Sequence, residues 1–208
     1  HNKVKPGSKI AITAGSRGIA HYLEIMSTVV DGVKKTGGEP FLVPAMGSHG
    51  GGTAEGQAAV LYHYGVTERA MGCPIKSSMA AVQIGQSSEG IPVFLDRHAS
   101  EADHVVVLNR VKAHTEFKGE IESGIMKMLL IGMGKHEGAK VYHQAFADYG
   151  FDRLVESLAH IVIDRARILF ALAIVENGYG ETAMICGLPP EEIVASERAL
   201  LRKAKELS

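Results

Sequence analysis

The stretch 9–20, KIAITAGSRGIA, decides the fold. Residues 9–13 are short, apolar and partly β-branched, with glycine just beyond, a pattern that predicts a buried strand. Apolar residues then recur at helical spacing, placing Leu23, Met26, Val29, Val30 and Val33 on one face of a helix over 22–35. Thr36-Gly37-Gly38 stops that helix, and a second strand is expected at 41–45. A strand, a helix and a second strand in this order begin a parallel sheet, because parallel neighbours need a long crossover.

The same alternation continues outward. The loop Gly47-Ser48-His49-Gly50-Gly51-Gly52 follows the second strand, and Thr53-Ala54-Glu55 opens another helix. Residues 82–85 and 92–95 read as a hairpin around Ser87-Ser88-Glu89-Gly90, and 104–108 (HVVVL) as a core strand. Helices are expected over 123–133, 139–148 and 151–164, strands over 168–175 and 183–186, and a terminal helix over 191–206. The expected fold is α/β: a Rossmann-like, mostly parallel sheet with helices on both faces, forming a single domain over 1–208. Ligands of such sheets sit in loops beyond the carboxyl ends of strands, and the histidine-bearing loops fall there.

Composition narrows the functions. With 22 basic against 23 acidic residues, the chain lacks the cationic excess that grips a phosphate backbone, so nucleic acid is not an expected partner. No apolar run approaches the ~18 residues of a membrane span, and the start, HNKVKPGSK, is polar, so no membrane partner is expected. Two cysteines, Cys73 and Cys186, are too few for a structural zinc or an iron–sulfur cluster. Lone cysteines and methionines suit a reducing compartment, and the cytoplasm is the expected location. The charged ending RALLRKAKELS reads as a connector within a longer polypeptide.

Two motifs mislead. Thr13-Ala14-Gly15-Ser16-Arg17-Gly18-Ile19-Ala20 imitates the T-G-G-S-R-G-I-G turn of short-chain dehydrogenases, but alanine replaces two of its glycines, at 14 and 20. Those glycines let the backbone approach a pyrophosphate and the helix pack closely. No Tyr-x-x-x-Lys pair occurs, and no acidic residue ends the second strand to hold a ribose. The turn can still hold a small phosphate on helix amides, and Arg17 suits a carboxylate or phosphate. Gly132-Met133-Gly134-Lys135 lacks the spacing and the hydroxyl of a P-loop.

Other residues carry chemistry. His49 stands among glycines with little to pack against, which favours function over a solvated loop histidine. His114 lies in NRVKAHTEFKGEIESGIMK, where Arg110, Lys112 and Lys118 form a basic loop suited to an anionic ligand and Asn109 and Thr115 offer neutral hydrogen bonds. Lys127, flanked by Met126, Met128, Leu129 and Leu130, is either snorkelling at a helix edge or desolvated and reactive. His136 and His143 share a face if their helix is continuous, and either alone makes an incomplete metal site. Cys73, in a Gly-Cys-Pro turn, has no assignable histidine partner.

Taken in order, GSRGI, GSHGGGTAE, NRVKAHTEFKGEIESGIMK and HEGAKVYHQ resemble the N-terminal domain of nickel-dependent lactate racemases, and more closely their uncharacterised paralogues. The resemblance runs from about residue 8 to 200. It implies a pyridinium thioamide/thiocarboxylate mononucleotide that clamps nickel as a pincer, with a histidine completing the metal coordination and a lysine able to link to the cofactor. His49 and His114 are similar to the acid/base pair on either side of a 2-hydroxy acid substrate, and Lys127 to the linking lysine. Ser16 and Gly47 fall in cofactor-binding motifs, Arg17 resembles the arginine that grips the substrate carboxylate, and His143 resembles the nickel ligand, with His136 in reserve. The implied reaction is racemisation or epimerisation by reversible hydride transfer, with neutral imidazoles moving the hydroxyl proton. A C-terminal domain of the same polypeptide and cofactor-maturation proteins are the implied partners. Ala14 stands where the family has aspartate and Ala113 where it has proline, and the segment from His114 to Lys127 is longer. These departures bear on which hydroxy acid is used. A dinucleotide-dependent oxidoreductase and a non-enzymatic metal- or anion-binding module are the alternative readings.

Overall fold

A computed structural model describes residues 4–114 and 119–208. Thr115 and Lys118, expected in the loop around His114, lie outside the described residues. The elements follow in the order β1 (Lys9–Ala14), α1 (Tyr22–Lys35), β2 (Glu39–Pro44), α2 (Ala54–His63), α3 (Glu68–Met71), β3 (Ala81–Gln86), β4 (Pro92–Asp96), α4 (Arg97–Ser100) and β5 (His104–Arg110), then α5 (Ile125–Lys127), a π-helical turn (Met128–Gly132), α6 (Met133–Tyr149), α7 (Phe151–Arg165), β6 (Ile168–Glu176), β7 (Thr182–Leu188) and α8 (Ile193–Glu206).

Five strands form one sheet in the order β2-β1-β5-β6-β7, and β3 pairs with β4 as a separate hairpin. The pairs β1–β2, β1–β5 and β5–β6 are parallel, while β7 closes the edge antiparallel to β6. The expected architecture, a mostly parallel sheet covered on both faces, is the one present. Side chains of β5 alternate between two cores: Val105 and Val107 pack with the layer of α5 to α8, Val106 and Leu108 with α1 to α3. Burial on both faces is why HVVVL reads as an unbroken apolar run.

α1 keeps its expected ends and most of its expected face, with Leu23 the exception. Tyr22, Ile25, Met26, Val30 and Val33 are buried, whereas Leu23 is 41 % exposed. The Tyr22 hydroxyl accepts the Gly15 amide at 3.0 Å, which turns the ring inward and rotates the stripe. The two helices expected over 123–133 and 139–148 are both present within Ile125–Tyr149: the first includes the π turn, and the non-helical Lys135 (φ 57°, ψ −156°) parts it from the second. Because β1, β2 and β5 are parallel, their carboxyl ends open on the same edge of the sheet. The chain steps from β1 outward to β2 and later returns to β5 on the other side, so a crevice opens between the β1 and β5 exits. No helix among the described residues is long and apolar enough to cross a membrane.

Candidate active site

The loops that leave β1, β2 and β5 meet the start of the long helical run around a cleft of about 560 Å³. β1 delivers Ser16 and Arg17, β2 delivers His49, β5 delivers Arg110, Lys112 and His114, and α5 delivers Lys127. The Gly50-Gly51-Gly52 run after His49 has φ of 65°, 69° and 65°, a succession of left-handed residues that only glycine adopts readily. Thr53 then caps α2, its hydroxyl accepting the Gly56 amide at 3.0 Å. The π turn after Lys127 keeps Gly132 against the loop, where its carbonyl accepts the Gly47 amide at 3.2 Å.

Two contacts define the chemistry. Ser16 Oγ lies 2.5 Å from His49 Nδ1, and Lys127 Nζ lies 2.6 Å from His114 Nε2. His49 has its pKa lowered from the ordinary imidazole value, chiefly because surrounding protein atoms desolvate it although its edge reaches solvent, and further by the charges of Arg17 and Lys127. His49 therefore sits within electrostatic reach of both cations. Lys112 is also lowered, first by burial and then by Arg110 and Arg17. Among the described residues the lining contains Arg17, Arg110, Lys112 and Lys127 and no carboxylate, so in a chain of balanced overall charge this cleft favours an anionic ligand. Glu176, on β6, pairs with Arg110 and accepts the Ala20 amide at 2.8 Å, tying the β6 exit to the β1 turn.

Buried polar side chains hold this constellation from beneath. Gln57 is fully buried, and its amide donates to the carbonyls of Gly47 at 2.9 Å and His49 at 3.2 Å. Its own oxygen accepts from Lys135 Nζ at 3.3 Å, which also reaches the Pro44 carbonyl at 2.5 Å and Asp96 Oδ2 at 3.0 Å. The lysine of the P-loop imitation is thus a buried strut below the His49 loop. Thr13, also buried, takes the Leu108 amide at 2.9 Å and couples β1 to β5.

Ser16, Gly47, Arg17, His49, His114 and Lys127 do not come together equally. All but Gly47 line the cleft, and Gly47 lies in the wall behind it, bonded to Gly132 and Gln57. His143 is exposed on α6 and is not part of the lining. His136 is exposed too, its Nδ1 3.9 Å from where a side chain on Gly52 would begin. Among the described residues no group of three or more His, Cys, Asp or Glu is arranged to hold a metal ion. Cys73 is buried, and burial pushes its thiol up, away from nucleophilic use. Gln57, Glu122, Lys135 and Glu197 escaped the reading of the sequence. The signal available for Glu197 was its place in the stripe of Ile193, Val194, Leu200, Leu201 and Ala204, where an acid is out of pattern. A larger hollow of about 690 Å³ between α1 and β6–β7 is lined mainly by aliphatic and aromatic groups such as Val29, Leu169 and Phe170. It lies away from the reactive cluster.

No curated protein matches this chain. A family model described as the lactate racemase N-terminal domain matches residues 2–153. Among solved structures, the lactate racemase apoprotein from Thermoanaerobacterium thermosaccharolyticum is similar, with a TM-score of 0.70 at 14 % identity over 92 % of this chain. The match covers 48 % of that protein, so this chain spans about half its length. On the family match, the chain belongs to the lactate racemase N-terminal domain family.

Proposed function

We propose that this chain is the cofactor-binding part of a racemase or epimerase of a 2-hydroxy acid, with His49 and His114 as its acid/base pair. The observation that carries the reading is the joint placement of two imidazoles and one amine in a cleft whose described lining is rich in cations. Arg17 suits the substrate carboxylate, because a guanidinium donates two parallel hydrogen bonds to it. His49, kept neutral near pH 7 by its lowered pKa, accepts the hydroxyl proton of one enantiomer. Ser16 occupies its Nδ1, so Nε2 is the nitrogen left for substrate. His114 serves the other enantiomer.

The anionic half of the family's mononucleotide fits here. Lys127 would hold it by charge, or would instead carry the cofactor's thiocarboxyl group as a thioamide, and Ser16 and the Gly47 loop would flank the nucleotide. When bound, the group supplies the acceptor for the C2 hydride. Thioamide formation at Lys127 would remove one of the two positive charges that bear on His49. Among the described residues the cleft offers the metal half no ligand set, since His143 stands outside it. Family membership alone supports nickel, with His143 as its proposed ligand. The reading takes the C-terminal domain of the same polypeptide and cofactor-maturation proteins as partners, and the cytoplasm, consistent with two free cysteines, as the location.

The test uses full-length protein co-expressed with maturation enzymes, checked for adduct and nickel by native and denaturing mass spectrometry. It is then given single enantiomers of 2-hydroxy acids in D2O. Racemisation with the C2 hydrogen retained supports hydride transfer, whereas deuterium at C2 means direct proton abstraction by the histidines. Protein with neither adduct nor nickel in either mass mode removes the reading.

A further inference from the structure

From its sequence α8 reads as a connector, yet two of its polar side chains reach under the reactive pair. Glu197 is 1 % exposed, and its Oε2 accepts the amide of Met126, the residue before Lys127, at 2.8 Å. Its carboxyl fills the space beside Gly124: a Cβ there would lie 2.4 Å from Oε1 and 2.7 Å from Cδ. Gly124 has an extended φ of 179°, so contact with Glu197, and not backbone strain, is what demands the glycine of the S-G-x-x-K element. Further along α8, Lys205 Nζ lies 2.6 Å from Glu122 Oε1. Glu122 is fully buried, and its other oxygen accepts the amide of His114 at 2.7 Å.

One helix thus closes two clamps, and each ends on backbone within one residue of a reactive side chain. Burying a carboxyl is costly, and a leucine at 197 would continue the apolar stripe without that cost. Nothing in the packing of α8 calls for an acid there; the amide of Met126 does.

We propose that α8 is the positioning element of the Lys127–His114 pair, with Glu197 and Lys205 as its positioning residues. The proposal rests on reading Lys127 and His114 as the reactive groups of the site. Its test needs no turnover: in the purified chain, the acylation rate of Lys127 by an amine-reactive ester is followed by peptide mass spectrometry, and the ring signals of His114 and His49 by NMR.

Glu197→Leu and Gly124→Ala are each expected to slow Lys127 acylation by about tenfold, the scale of one lost hydrogen bond to a charged group. Exposed Lys140 should react unchanged. Lys205→Met should shift the His114 ring titration more than that of His49, and Lys205→Arg should restore it. The His49 loop hangs from Gln57 and Lys135 and not from α8, so His49 feels α8 only through the charge of Lys127 and should move less. If His49 moves as far as His114, or if the variants lose only thermal stability, α8 is merely structural and the proposal falls. Should Glu197→Leu fail to fold, Glu197→Gln and Gly124→Ala decide the matter. Failure of the racemase reading would instead show as absent turnover with these local readouts intact.

Discussion

Lys127 Nζ stands 2.6 Å from His114 Nε2, so the amine able to anchor a cofactor and one proposed proton carrier share a hydrogen bond. They come from α5 and from the β5 exit, 13 residues apart in sequence. In the full-length, cofactor-loaded protein, Lys127→Ala should abolish any covalent adduct in the intact mass. His114→Ala should keep the adduct and lower racemisation by ~10²–10⁴-fold, the usual contribution of a general acid or base. An adduct surviving in the lysine variant would move the attachment elsewhere.

The His49 imidazole should titrate below the ordinary value. Burial is the largest cause and Arg17 the next, so Arg17→Met should raise the value without restoring it fully. A depressed folded-state value means the folded chain binds a proton less readily than the unfolded chain. His49 therefore subtracts stability as pH falls below about 6.5. NMR titration of the ring in both proteins measures the shift directly, and an unchanged value in the arginine variant would contradict the arrangement.

Lys135 and Asp96 form a fully buried ion pair at 3.0 Å, and burial lowers the lysine's pKa against the pull of Asp96. Lys135→Met should cost about 3–5 kcal/mol by leaving Asp96 uncompensated. Pairing it with Asp96→Asn should recover part of that loss. Urea unfolding of the three proteins gives the comparison, and a single variant as stable as the parent would mean the pair bears no charge.

Glu197 is pushed up to about 7 by burial, against the lowering pull of the Met126 and Ile125 amides. A raised folded value means that, as pH climbs from about 4.5, the unfolded chain releases this proton first. Stability should therefore fall between about pH 4.5 and 7 and level off above, by on the order of 3 kcal/mol. Glu197→Gln should flatten that arm of the stability curve measured by chemical unfolding. A parent protein with no slope in this window would show that the carboxyl is ionised throughout.

Much of the fold was legible. Residues 22–35 end where the periodicity and the glycines said they would, and 104–108 carried the unbroken apolar run of a strand covered on both faces. The two helices expected over 123–133 and 139–148 are also present, parted by the non-helical Lys135, but the π turn that begins at Met128 left no mark in the sequence. The site was legible by residue type: histidines among glycines, and a basic loop after a core strand. His143 shows the limit, since a spacing of residues carries no information about which way a helix face looks once the helix has docked.

The sequence by itself determined the strands, the helices and the chemical inventory, because these depend on periodicity and side-chain type within a few residues. Tertiary structure alone decided that Lys127 meets His114, that Ser16 meets His49, and that Gln57, Glu122, Lys135 and Glu197 support them. Those contacts join positions at least 8 residues apart, beyond the reach of local periodicity. They are set by the order of parallel strands and by the requirement that each buried polar group find a partner, and neither leaves a local mark in the sequence.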